Sequence, residues 1–227
     1  MAHATLNIPV MGNRFILILL CLVPTTLFSQ IFNSQGTAGV LEAQRAYVQA
    51  YGQMTQRAIQ ISHTVQPYRQ LQYEKYLEGK YEEAIDICLD VRKRYTYYAF
   101  DDRAIRDMLS LAGDCAMKIS AHETAIDFYL LAKQAEEKGM DSKLQSVFNS
   151  KMNDARDSFR NDNYSKLWDD VSIALKTGWE SGECYYYFGF CYERNGNYKD
   201  AKKMYKLAKK KNYPIAEIAL KNLKKMK

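Results

Sequence analysis

Ten residues between Tyr185 and Pro214 constrain the fold of this chain more than anything else in it. Tyr185, Phe188, Gly189, Tyr192, Gly196, Tyr198, Ala201, Tyr205, Ala208 and Pro214 fall at intervals that describe two short helices packed closely together. Tyr185, Phe188 and Tyr192 recur every three or four positions and so share one helix face. Gly189 and Ala208 leave room for a neighbouring backbone, and Asn195-Gly196-Asn197 supplies the turn. One such pair cannot bury its apolar face alone, so the pattern predicts further pairs upstream.

Sliding the pattern back by 34 residues sets Tyr198 over Tyr164, Ala201 over Leu167, Tyr205 over Val171 and Ala208 over Ala174. Before them Phe148, Met152, Ala155 and Phe159 keep the apolar stripe, with Ala155 in the glycine's place and Ser158 in the tyrosine's. Leu109, Ala112, Gly113 and Ala116, followed by Ala125, Tyr129 and Ala132, form an earlier unit whose second helix opens on the capping-box pattern Ser120-Ala121-His122-Glu123. The earliest unit has Tyr68, Leu71, Gly79, Tyr81, Ala84, Cys88 and Val91, with Gln72 and Lys75 replacing glycine and tyrosine in its first helix. Ala84, Ala125, Leu167 and Ala201 are separated by 41, 42 and 34 residues, so the first two junctions carry insertions. Longer helices over 101–118 and 142–160 would absorb them.

These residues resemble the tetratricopeptide repeat, with Tyr185 where that family usually has Trp, Phe188 where it has Leu, and Pro214 about one position late. The resemblance covers 65–213 in four units, 65–98, 106–139, a degenerate 148–181, and 182–215. It implies an all-α, right-handed helical-repeat solenoid. Residues 30–64 then read as a linker and an extra packing helix that ends before Pro67. Residues 214–227, with Ile215, Ile218, Ala219 and Leu223 on one face, read as a basic capping helix.

In this family one face of the first helix of each repeat lines a concave wall. By alignment the resemblance implies Arg69, Tyr73 and Tyr76; Ser110, Asp114 and Met117; Met152, Arg156 and Phe159; and Tyr186, Phe190 and Glu193. Aromatics beside Arg suit a peptide or helix laid in the groove, the apolar groups anchoring it and Arg giving direction. The competing reading makes these aromatics ordinary core, with other helices filling the wall. Chaperone adaptors of this family that grip a terminal carboxylate use a Lys and Asn set, which Arg69, Tyr73 and Ser110 do not reproduce.

At the start of the chain Arg14, the apolar run 15–23, Pro24 and Ser29 have the three-part layout of a secretory signal over 1–29, with Met11 a second candidate start. The run is shorter than the roughly 20 residues a membrane span needs. The leader looks like those of Gram-negative bacteria and predicts an exported protein, periplasmic, outer-membrane-associated or secreted; an uncleaved anchor is the alternative. Leu20 before Cys21 does not fit a lipoprotein box.

Of the five cysteines, Cys88, Cys115, Cys184 and Cys191 follow the leader. Cys184 and Cys191 lie seven apart on one helix, about 10 Å along its axis, too far to bridge. All four sit beside apolar residues, which favours buried, reduced thiols, while a Cys88–Cys115 pairing is geometrically open.

The formal net charge is +6, unevenly placed. From Lys199 onward eleven Lys face Asp200 and Glu217, whereas 30–198 carries a net −4. That basic end reads either as a solvated Lys face or as an attachment site for anionic lipid or polysaccharide. Its lack of Arg argues against nucleic acid.

His3, His63 and His122 form no metal or catalytic motif, and the chain has no Gly-rich phosphate loop, H-E-x-x-H or G-x-S-x-G. Asp101-Asp102, Glu136-Glu137 and Asp169-Asp170 are expected at helix ends or on solvated faces. The sequence therefore predicts no enzyme, no cofactor and no metal. It predicts a scaffold or adaptor of the bacterial envelope that binds a protein or peptide partner, the alternative being a module attached to an anionic surface.

Overall fold

The computed structural model describes residues 25–225, with side chains from residue 39 onward. Among these residues it holds ten α-helices, one 3-10 helix and no strand. It divides into two units between Thr55 and Gln56. The expected leader lies outside the described residues as far as residue 24. The linker expected from residue 30 is instead part of helix α1, Thr25–Thr64. No proline interrupts the sequence between Pro24 and Pro67, so nothing removes a ladder donor before the chain turns at Val65.

In the second unit α2 (Gln66–Leu77) pairs with α3 (Tyr81–Tyr95), α4 (Arg106–Lys118) with α5 (His122–Gln134), α6 (Met140–Arg160) with α7 (Tyr164–Lys176), and α8 (Gly182–Arg194) with α9 (Tyr198–Lys210). Each helix packs against the next in the chain, and α10 (Ala216–Lys225) closes on α9. The second helix of each pair buries three residues spaced by four and then three: Ala84, Cys88, Val91; Ala125, Tyr129, Ala132; Leu167, Val171, Ala174; Ala201, Tyr205, Ala208. That spacing turns the same stripe inward four times. Burying each of the larger aliphatic side chains stabilises by roughly 1.5–3 kcal/mol.

The room at Gly189 serves a side chain rather than a neighbouring backbone. An added Cβ there would meet the ring of Tyr205, and one at Gly113 would meet the ring of Tyr129. Each tyrosine lies sixteen residues after its glycine. The same offset links Gln72 to Cys88 and Ala155 to Val171, all buried. Where the second helix carries a ring, the first carries no side chain. Where it carries Cys or Val, the first carries Gln or Ala. The two non-glycine substitutions in the pattern are thus matched by smaller residues sixteen positions later, as close packing requires.

The turns are built alike. Gly79, Ser120, Asp162 and Gly196 follow the first helices in the left-handed region, with φ of 76°, 60°, 55° and 74°. In each case the next residue's N–H donates to the carbonyl five residues back, as Ala121 does to Ala116 at 2.9 Å, closing a Schellman turn. The capping box expected at Ser120 therefore does not form. Ser120 ends α4, its backbone is left-handed, and α5 starts after Ala121 with no side-chain cap. Ser181 and Asn197 do cap helices, accepting from the N–H of Cys184 and Asp200.

The two insertions are absorbed differently. The second lengthens α6 to 21 residues against 13 for α4 and α8. The first is no helix extension: Thr96 is extended, and a 3-10 turn at Asp101–Ile105 precedes α4. Asp101 and Asp102 in that turn are buried, contrary to the solvated placement expected for them. Asp101 accepts both Arg57 donors at 3.0 and 3.1 Å and the N–H of Tyr97 and Tyr98 at 3.0 and 3.1 Å. Asp102 takes the Arg92 fork at 3.0 Å twice. Asp170 is buried too, within 3.3 Å of Lys151 and 3.1 Å of Ser158.

Candidate partner-binding wall

The twelve residues aligned to the concave wall fall into three clusters with different chemistry. On α2, Arg69 is fully engaged. Its guanidinium lies 2.9 Å from Asp107, donates to the Ser62 carbonyl at 2.8 Å and to Gln66 Oε1 at 3.1 Å, and reaches the Ala104 carbonyl. Tyr73 leaves half of its surface in solvent and stacks on Tyr76 at 6.4 Å, which in turn meets Tyr81 edge-on at 5.8 Å.

Between α2 and α4 is an open cavity of about 260 Å³ whose lining includes Gln66, Arg69, Gln72, Tyr73, Asp107 and Leu111. Gln72 is fully buried at its base and donates Nε2 to the Met108 carbonyl at 3.0 Å. That bond fixes which end of the amide is which, because a carbonyl accepts only from the nitrogen. Oε1 is left with no hydrogen-bond donor, the single such buried side-chain atom among the described residues. An acceptor stranded in this way costs about 1–3 kcal/mol.

The middle cluster is closed by a residue that sequence reasoning missed. Lys143 of α6 donates to both oxygens of Asp114 at 2.6 and 2.7 Å and to Ser110 Oγ at 2.9 Å. Tyr129 donates its hydroxyl to the same carboxylate at 2.7 Å. Burial and then Asp114 push that phenol far above its ordinary range. Met117 is half-buried against the first core cluster.

In the third cluster the aromatics are half-buried and pack on one another. Phe159 meets Tyr187 at 5.1 Å and Phe190 at 4.9 Å; Tyr186 meets Tyr205 at 5.7 Å and Tyr213 at 5.2 Å. Met152 is buried beside Cys184. Arg156 places two donors on Glu183 at 2.9 and 2.7 Å and a third on Asn153 at 2.7 Å. Glu193 accepts the Tyr205 hydroxyl at 2.6 Å.

Both arginines are thus paired with carboxylates on neighbouring helices. Their partners Asp107 and Glu183 lie 38 and 27 residues away, beyond any local pattern. Gln72 could be found in the sequence only as the residue standing in the glycine's place.

Among the described residues no group of His, Cys, Asp and Glu could hold a metal ion, and no helix is long and apolar enough to cross a membrane. The four cysteines are buried, and burial pushes Cys88 up to about 12 and Cys191 up to about 11. In comparisons with known proteins, no protein-family model and no curated protein sequence matches this chain.

Proposed function

We propose that the four hairpins are tetratricopeptide-type repeats in a right-handed solenoid, and that the protein is a non-catalytic scaffold that holds a protein segment along α2 and α4. The observation that carries this reading is the half-exposed Tyr73 ring, stacked on Tyr76, at the edge of the 260 Å³ cavity between α2 and α4. The exposed Tyr73 ring offers a peptide an apolar anchor at small loss of side-chain entropy. The export expected from the leader sets this binding in the bacterial envelope. The aromatic cluster around Phe159 is less open than Tyr73, its rings being half-buried against one another.

The test is capture of partners from cells by crosslinking and mass spectrometry, comparing the native chain with Tyr73→Ala and Leu111→Ala. A partner recovered by the native chain and lost from both variants, with helix content unchanged, supports the reading. Equal recovery by all three removes this wall.

A second reading is favoured by one observation at the other end. Lys199, Lys202, Lys206, Lys210, Lys224 and Lys225 have no carboxylate within 4.0 Å among the described residues, whereas Lys203, Lys209, Lys211 and Lys221 do. Six uncompensated cations on two adjacent helices suit an anionic lipid or polysaccharide surface. Binding to anionic vesicles that persists unchanged from low to high salt contradicts it.

A further inference from the structure

Helix α1 leaves a set of apolar side chains exposed upstream of the hairpins. Leu41, Tyr47, Val48, Tyr51 and Met54 each leave about half or more of their surface in solvent. At 100° per residue they are not scattered: Val40, Tyr47, Tyr51 and Met54 form one stripe, with Leu41 and Val48 on one flank and the small Ala43 and Ala50 on the other. The opposite face holds Glu42, Arg45, Gln49, Gln53 and Gln56, all exposed. Tyr47 and Tyr51 stack within the stripe at 6.4 Å and 21°.

The spacing of the stripe is that of a helix seam. From Tyr47 the apolar positions advance by four, three, four, three and four residues through Tyr51, Met54, Ala58, Ile61 and Val65. The last two are buried in the first core cluster, and Ala58 packs against it. The run of seam positions that is closed by packing from residue 58 onward therefore continues upstream as open positions with the same periodicity.

We propose that this stripe pairs with the same stripe of a second copy of the chain, making the protein a dimer through residues 40–54 of α1. The chemistry of the face selects that occupant. Between 39 and 56 the only charges are Glu42 and Arg45, on the far side, so two copies meet without repulsion and nothing encodes an oppositely charged partner. A helix lying on a lipid surface carries Lys and Arg along its polar face, and here that face is mainly glutamine. Ala43 and Ala50 allow close approach, and Gln44 is a polar residue in the seam, a device that fixes register between like helices.

Sedimentation equilibrium of the full chain over a range of concentrations tests this. The expected mass is that of two chains of 26.3 kDa, falling to one chain in Tyr51→Glu with Met54→Glu and unchanged in Gln49→Glu with Gln53→Glu. Circular dichroism should show the same helix content for all three. A native chain that stays single at every concentration overturns the proposal, as does a seam variant that associates like the native chain. Co-sedimentation of a single-chain native protein with phosphatidylcholine vesicles, lost in the seam variant, would reassign the face to lipid and also overturn it.

Discussion

The side chain missing at Gly189 is the space occupied by the ring of Tyr205: a Cβ on the glycine would stand 2.5 Å from Tyr205 Cδ1. That distance is shorter than any ordinary carbon contact, and the ring is held by its hydroxyl on Glu193.

Gly189→Ala should therefore destabilise the protein by about 1–3 kcal/mol through overpacking, against the small gain alanine normally brings to a helix. Combining it with Tyr205→Val recreates the residues found at Ala155 and Val171. The double variant should be more stable than the sum of the single effects by at least about 0.5 kcal/mol, read by urea unfolding of the four proteins.

Ser120→Gly should raise stability. A left-handed serine carries a backbone penalty of about 1–2 kcal/mol that glycine lacks, and no hydrogen bond of the Ser120 side chain opposes the change. Glycine's greater freedom in the unfolded chain offsets part of this, leaving a net gain of about 0.5–1 kcal/mol. The control is Ser120→Ala, which keeps the Cβ and should gain nothing. Thermal unfolding of the three proteins compares them.

Removing one partner of the buried pair between Lys151 and Asp170 should be harsher than removing both. Lys151→Met alone leaves Asp170 with Ser158 and with Lys166 at 3.6 Å, and should cost somewhat less than the roughly 3–5 kcal/mol of a fully stranded buried charge. Lys151→Met with Asp170→Leu should recover much of that loss. Urea midpoints of the single and double variants decide it.

Alkaline pH should weaken the fold before it touches any ion pair with arginine. Burial holds Cys88 as a thiol up to about 12, against 9.0 when unfolded, and Cys115 and Cys191 up to about 11. The folded chain keeps protons that the unfolded chain gives up, so this contribution is whole below pH 9 and is lost as pH rises from 9 to 12. Stability measured by urea across that window should fall, and Cys88→Ala should fall less steeply.

At the acid end Asp101 behaves oppositely. Burial disfavours its charge, but the N–H of Tyr97 and Tyr98 and then Arg57 override this and lower its pKa. Its contribution is present above the ordinary 3.8 and disappears as the pH falls through the lowered value. Asp101→Asn should flatten the acid limb of the stability curve, followed by circular dichroism.

The helices were legible from sequence because their signal is local. The buried triplets starting at Ala84, Ala125, Leu167 and Ala201 are set by spacing within one helix, and each can be read without knowing what covers it. The fates of Arg69, Asp101 and Arg156 were not legible, because their partners stand 38, 44 and 27 residues away and no periodicity points to them. Ser120 misled for another reason: serine before His-Glu fits two jobs, and the end of α4 claimed it before the start of α5 could. The candidate wall was placed on its helices by resemblance alone, and exposure, which decides what can touch a partner, depends on neighbours such as Lys143 and Tyr213.

The pairing of an absent side chain with a ring has a consequence for how such a protein can diverge. A bulky residue gained on one helix is survivable only where the facing helix has already shed its own, so drift proceeds by coupled pairs of changes. Gln72 with Cys88, and Ala155 with Val171, hold the same two positions with the volume divided differently, beside the glycine and tyrosine pairs in one molecule.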